Sequence, residues 1–190
     1  MRRVVIVLLV LTSLVGLSLP AVADIDPTEI GKAVTAVEQL DQMRTGLADT
    51  LLEVKSEPTI GTFKEVCAPV GKQAQAIAKE NGWQVRQVAL KYRNPKHQPQ
   101  NLSEEKALAE FVEHPDLTAF WERDEQGVHY YRRINVQASC LACHGAKDSR
   151  PSFVKDKYPQ DLAYDFQVGD LRGMYAVIIP ELQQALSTHE

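Results

Sequence analysis

Residues 128–145 read VHYYRRINVQASCLACHG. Val128, Tyr130, Ile134 and Val136 fall on one side of a two-residue alternation, the period of a half-buried strand. Just upstream, Thr118 to Arg123 has strand composition, and Asp124-Glu125-Gln126-Gly127 supplies turn residues between the two runs. The segment therefore reads as a β-hairpin. Downstream, Val168-Gly169-Asp170 turns into Leu171 to Ile179, which is apolar on both faces, as a central strand is, and which Pro180 stops. Gln84 to Tyr92 has strand composition too. Helical patterns come before all of these. Long helices first and strands afterwards predict an α+β domain with an antiparallel sheet.

The first helix is announced by Asp26 as N-cap, Pro27 at the first helical position and Glu29 three residues after the cap. Apolar residues follow at Ile30, Val34, Val37, Leu40, Met43, Leu47, Leu51 and Val54, in steps of three or four, so one face is apolar. The pattern predicts an end near Ser56-Glu57-Pro58. Such a helix either covers the sheet or supports a homodimer. A second helix is predicted from Thr62, with Glu65 completing a capping box and Val66, Cys67, Val70, Ala74 and Ile77 sharing a face. Pro69 removes a backbone donor, which kinks the helix or marks its true start. Asn81-Gly82 is a C-terminal stop. Arg93-Asn94-Pro95, then Pro99, reads as a loop. Ser103 is the predicted cap of a short helix carrying Leu108, Phe111 and Val112. Ala146 to Gln167 shows little periodicity, and Glu181 to His189 suits a short last helix.

The chain opens with Arg2 and Arg3, an apolar run from Val4 to Leu19, Pro20 and Ala21-Val22-Ala23. That is the order of a secretory signal peptide cleaved after Ala23. The run is shorter than the ~20 residues of a spanning helix. Residues 1–23 are thus expected to be removed, leaving 24–190 as one domain outside the cytoplasm with no stable membrane insertion. Loss of Arg2 and Arg3 against the same 25 acids takes the formal charge from −4 to −6. That balance lacks the basic footprint of nucleic-acid binding.

Three cysteines in an exported chain cannot all pair internally. Two of them form Cys140-Leu141-Ala142-Cys143-His144, the C-x-x-C-H mark of c-type haem attachment. The spacing has a chemical reason. Two thiols three residues apart reach the two vinyl groups on one porphyrin edge, and the next imidazole lies under the iron. Cys140 and Cys143 are therefore predicted to carry thioethers to one haem c, and His144 to ligate its iron. Gly145, without a Cβ, is expected to let the backbone pass close to the macrocycle. A zinc site wants four ligands, usually from two such pairs, and no second pair exists. A thioredoxin-like dithiol expects the motif on a helix after an early strand, and here it follows a late hairpin.

The second axial position has several candidates: Cys67, Met43, Met174, His97, His114, His129 and His189. His97 and His114 lie in prolyl loops and read as solvated, and His129 points away from the apolar face of its strand. Met43 and Met174 suit core packing. Cys67 lies on an apolar helix face beside Pro69, where an inert buried cysteine is the ordinary reading. The surplus thiol and the export context favour a ligand. Propionate partners are sought among Lys91, Arg93, Arg132 and Arg172, since guanidinium pairs well with carboxylate.

These residues, in order, resemble a family. Cys67 in an early helix, Arg93-Asn94-Pro95 after a strand, Cys140 to Gly145, Tyr158-Pro159-Gln160-Asp161 and Gly169-Asp170-Leu171-Arg172-Gly173 are similar to the cyanobacterial c-type haem proteins with a PAS-like fold and His/Cys axial ligation. That domain also serves as the sensor part of signalling proteins. The resemblance spans about the whole mature chain. It implies a PAS-like antiparallel sheet flanked by helices, His144 as fifth ligand and Cys67 as sixth.

Two functions follow. One is low-potential electron transfer in the periplasm or thylakoid lumen, with a redox protein as partner. The other is redox or gas sensing, which needs a separate partner because the sequence carries no kinase, cyclase or methyl-accepting segment. A peroxidase-like enzyme is not expected, since six-coordinate iron has no open position for peroxide and no distal acid–base pair is evident. A four-helix cytochrome would fit the late motif but not the strand-like runs at 84–92, 128–136 and 171–179.

Overall fold

The computed structural model describes residues 27–54 and 56–180. The signal peptide, Asp26 and the predicted helix at 181–189 lie outside them. Among the described residues no helix is long and apolar enough to cross a membrane.

Helix α1 spans Pro27–Asp49 and tightens into a 3-10 turn over Thr50–Glu53. Val37 and Leu40 of the predicted row are buried, and Ala33, Asp41 and Ala48 complete the buried stripe. Val34 is turned out, and Met43 and Leu47 pack at the edge. Small alanines let the helix lie close over the sheet, so it acts as a cover. Helix α2 is Ile60–Val66. Its cap is Thr59, not a box built on Glu65: Thr62 N–H donates to Thr59 Oγ1 (3.3 Å) and Thr59 N–H to Thr62 Oγ1 (3.0 Å). Cys67 is the joint to α3, Ala68–Asn81, whose first turn holds Pro69. There the lost N–H has no helical partner to miss. Gly82 closes α3 in the left-handed region, φ +70°, as its position after Asn81 predicts.

Strand β1 is Gln84–Val88, shorter than the predicted run. Helix α4, Leu102–Glu113, is capped by Asn101, whose Oδ1 accepts the Glu104 N–H (2.8 Å). Ser103 is already inside the helix. The hairpin forms as read: β2, Ala119–Asp124, returns as β3, Gly127–Asn135. Helix α5, Leu141–His144, and helix α6, Ser152–Lys157, precede β4, Leu171–Pro180. The sheet is antiparallel throughout, in the order β1-β4-β3-β2.

Both faces of β4 are buried, as its unbroken apolar run requires. Tyr175, Val177 and Ile179 pack with Val128, Tyr130 and Ile134 under α1 and α3. Met174 and Ala176 pack with Tyr131 against Leu108 and Phe111 of α4. His129 points to this second face, opposite Val128 and Tyr130 as predicted; it is buried, and its Nε2 lies 2.8 Å from Asp124 Oδ1.

Gly173 marks the tightest approach in the sheet. Its φ is +154°, and a Cβ there would strike the Val88 carbonyl oxygen and lie 2.9 Å from Ala89 Cβ. Both atoms belong to backbone-anchored neighbours that cannot swing aside. Gly173→Ala is expected to lower unfolding stability by about 2–4 kcal/mol, from strain and overpacking together. The urea midpoint measures this, and an unmoved midpoint would refute the close approach.

Candidate cofactor site

The C-x-x-C-H run occupies a single turn. A 3-10 turn, Ala138–Cys140, leads directly into α5. A bulge at Ile134/Asn135 ends the regular pairing of β3. Val136 then binds the turn before β4, donating to Asp170 O (2.9 Å) and accepting from Gly169 N–H (2.8 Å). The motif thus hangs from the end of the sheet. Gly145 stops α5 by donating to Leu141 O (3.0 Å), and a Cβ at Gly145 would lie 2.8 Å from that same oxygen. The glycine serves this helix stop.

Cys140, Cys143, His144 and Cys67 line one cavity of about 320 Å³. Its other walls include Phe63, Val66 and Val70 from α2 and α3, and Val88, Ile134 and Gly173 from the sheet. Phe63 is braced by Phe153 and Tyr158, each with ring centroids 6.3 Å away. All three cysteines are free thiols. Cys67 keeps exposed surface at the cavity it lines, although the protein packed around it raises its thiol pKa. Burial pushes Cys143 up to about 11, against the opposing charge of Arg93. Among the described residues, only Glu110, Glu113 and His114, on the exposed end of α4, bring three or more ligand atoms within 4.8 Å of one another. The four cavity residues are therefore spaced too widely for a single small ion such as zinc.

His144 is set by its neighbours. Its Nδ1 lies 2.8 Å from the Ala163 carbonyl, which can only accept, so Nδ1 carries the proton and Nε2 keeps its lone pair. Burial, reinforced by the charges of Arg172 and Arg93, holds the imidazole pKa well below its ordinary value. The ring is thus neutral, the form that binds metal. Phe166 meets it edge-on, 6.1 Å between centroids and 81° between planes. The 163–166 segment is zipped to the motif by Phe166 N–H on His144 O (3.2 Å) and Asp165 N–H on Gly145 O (2.7 Å).

Asp161 anchors this arrangement from below. Its Oδ1 accepts from Ala163 N–H (2.9 Å) and Arg93 Nε (3.3 Å), and its Oδ2 from Arg150 Nη1 (2.9 Å). Arg93 in turn donates to the Cys143 carbonyl (2.7 Å).

A family model described as Tll0287-like, Tll0287, matches residues 23–180. The chain belongs to the Tll0287-like family. A solved structure titled as that of the cyanobacterial heme-protein Tll0287 is similar at 66% identity and a TM-score of 0.78, covering 85% of this chain and 100% of its own. No curated protein matches. In this Tll0287-like chain the two arginines that were propionate candidates and line the cavity are Arg93 and Arg172. Lys91 instead lies over the Phe166 ring at 4.1 Å, and Arg132 pairs with Glu38 at 2.8 Å.

The alternatives to Cys67 separate cleanly. Met174 and His129 lie in the α4-side interior, Met43 packs between α1 and α3, His114 is exposed, and His189 is outside the described residues. His97 does line the cavity, against the solvated reading; its carbonyl accepts from Ala89 N–H (2.9 Å), which folds its loop inward. Arg44 is a second cavity residue that sequence reasoning missed. It sits on α1, far from the motif in sequence, and its Nη1 lies 4.0 Å from Cys140 Sγ; nothing local marks it.

Proposed function

We propose that this chain is an exported c-type haem protein that carries electrons at low potential. One haem is held through thioethers to Cys140 and Cys143, with His144 Nε2 and Cys67 Sγ as axial ligands. The observation that carries this reading is the convergence of Cys67 with the C-x-x-C-H turn on one cavity. The donor chemistry fits the group: a neutral imidazole with its lone pair free, thiols spread too widely for one small ion, apolar walls and cationic side chains. The solved relative, itself described as a heme-protein, supports it. When bound, the haem supplies one-electron exchange at its iron.

The protein's own residues tune that exchange. The Ala163 carbonyl orients His144 and raises its basicity through the Nδ1–H bond. Cys67, anionic when ligated, favours the ferric state and depresses the potential. Phe63, Val66 and Val70 of α2 and α3 supply an apolar wall around it. No catalytic role is assigned. Residues 1–23 serve as the signal, and the mature product acts in the periplasm or thylakoid lumen on a redox protein partner, without nucleic acid. The direct test is a pyridine haemochrome spectrum and intact mass of protein expressed with a haem-maturation system. Pigment-free protein would end this reading.

Cys67→Ser is expected to keep the covalent haem, change the ferric absorption and electron paramagnetic resonance spectra, and raise the midpoint potential. Unchanged spectra would reduce Cys67 to a packing residue.

A second reading, a redox or gas sensor acting through a partner, is favoured by one feature. Cys67 sits at the joint between α2 and α3 rather than within a continuous helix, so its sulfur can withdraw without breaking a helix. Ferrous spectra with carbon monoxide test this. Failure to bind at any pH counts against a displaceable Cys67.

A further inference from the structure

The ion pairs around the cavity do not close. Asp41 takes Arg44 (2.7 Å) and Arg132 (3.3 Å), and Glu38 takes Arg132 (2.8 Å). Asp161 takes Arg93 (3.3 Å) and Arg150 (2.9 Å). Arg172 lines the same cavity, yet its one hydrogen bond goes from Nη1 to the Lys91 carbonyl (3.1 Å). Among the described residues no carboxylate lies within ion-pair distance of it. Asp161, whose charge reaches it, is committed to two other guanidinium groups. Of the three arginines that line the cavity, Arg44 and Arg93 are thus paired with Asp41 and Asp161, and Arg172 is left without a carboxylate.

An arginine does not shed its proton at neutral pH, so this half-buried guanidinium in the cavity wall keeps a charge that a carboxylate can pair. The packed protein and the neighbouring Arg93 lower the Arg172 pKa only to about 10. The Phe166 ring, 5.6 Å from the guanidinium, offers a weak cation–π contact and no countercharge.

We propose that Arg172 binds a carboxylate of the cavity's ligand, a propionate of the haem. The inference rests on the haem reading for the identity of that carboxylate. Arg172 is the cavity-lining guanidinium left over when Asp41 and Asp161 are spent on Arg44 and Arg93. Its fork suits bidentate pairing, which lysine cannot reproduce.

The test uses the full chain matured with haem, in Arg172→Gln and Arg172→Lys variants. Resonance Raman reads the propionate-bending band, and redox titration reads the midpoint. Arg172→Gln should shift the band and lower the midpoint, because a positive charge that favours the reduced state is gone. Arg172→Lys should shift the band while holding the midpoint near that of the parent, since charge is kept and the fork is lost. A fully loaded Arg172→Gln protein with both readouts unmoved would overturn the assignment and leave Arg172 a packing residue. If Arg172→Gln does not accumulate, the band of Arg172→Lys decides alone: shifted supports, unmoved overturns. A parent protein without haem would instead sink the haem reading, and the propionate with it.

Discussion

Replacing both Cys140 and Cys143 by alanine is expected to abolish covalently held pigment altogether. The denatured polypeptide should then have the mass of the bare chain, and acidified acetone should remove any colour that remains. The physical basis is that only a carbon–sulfur bond survives denaturation. An axial bond from His144 or Cys67 dissociates once the fold no longer holds both sides of the cavity. The two sulfurs stand on one continuous turn, Ala138–Cys140 followed by α5, and both line the cavity. A single replacement should leave one bond and an intermediate yield. The fold should tolerate the change, because both thiols are only partly buried, Cys140 at the edge of the Val136, Ala163 and Phe166 cluster. Acetone-resistant colour in the double variant would mean attachment elsewhere, and the assignment of these two residues would fall.

Asp161→Ala should be the most damaging single change outside the motif. The Asp161 side chain is fully enclosed and serves two guanidinium groups and one backbone N–H. Its removal strands Arg93 and Arg150 beside each other without a carboxylate and leaves the Ala163 N–H unpaired. Breaking a buried ion pair from one side costs about 3–5 kcal/mol, because the orphaned charge stays behind. That is a large share of the 5–15 kcal/mol typical of a whole domain. The effect reaches the site, since the Ala163 carbonyl that orients His144 is positioned by this carboxylate. Urea denaturation should show the loss, and the haem-loaded protein should show heterogeneous low-spin signals. Asp161→Asn keeps an oxygen for Ala163 N–H and should fall between parent and alanine. Parent-like stability in Asp161→Ala would show that the arginines find other partners.

Several elements were legible because their causes are local. Gly82 after Asn81 ends α3, the Asp124–Gly127 turn makes the hairpin, and the two-sided apolar run of β4 places it in the middle of the sheet. Cap positions were less secure. Thr59 and Asn101 took the places predicted for Thr62 and Ser103, because several small polar residues in each segment can cap and packing of the following helix selects among them. In α1 the predicted row holds at Val37, Leu40, Met43 and Leu47, while Val34 faces out and the buried stripe adds Ala33 and Ala48. His129 points away from Val128 and Tyr130, as its place in the alternation predicts, and only the fold shows that this side is buried too.

The motif at 140–144 and the order of helices and strands came from bonding rules that act within a few residues, so the chain alone declared them. That Cys67 faces this motif, that Arg44 and His97 share its cavity, and that Asp161 is spent on Arg93 and Arg150 while Arg172 is left without an acid were settled only by folding. The reason is physical. Charge balance and enclosure are sums over groups brought close by the whole fold, and no local stretch of residues contains that sum.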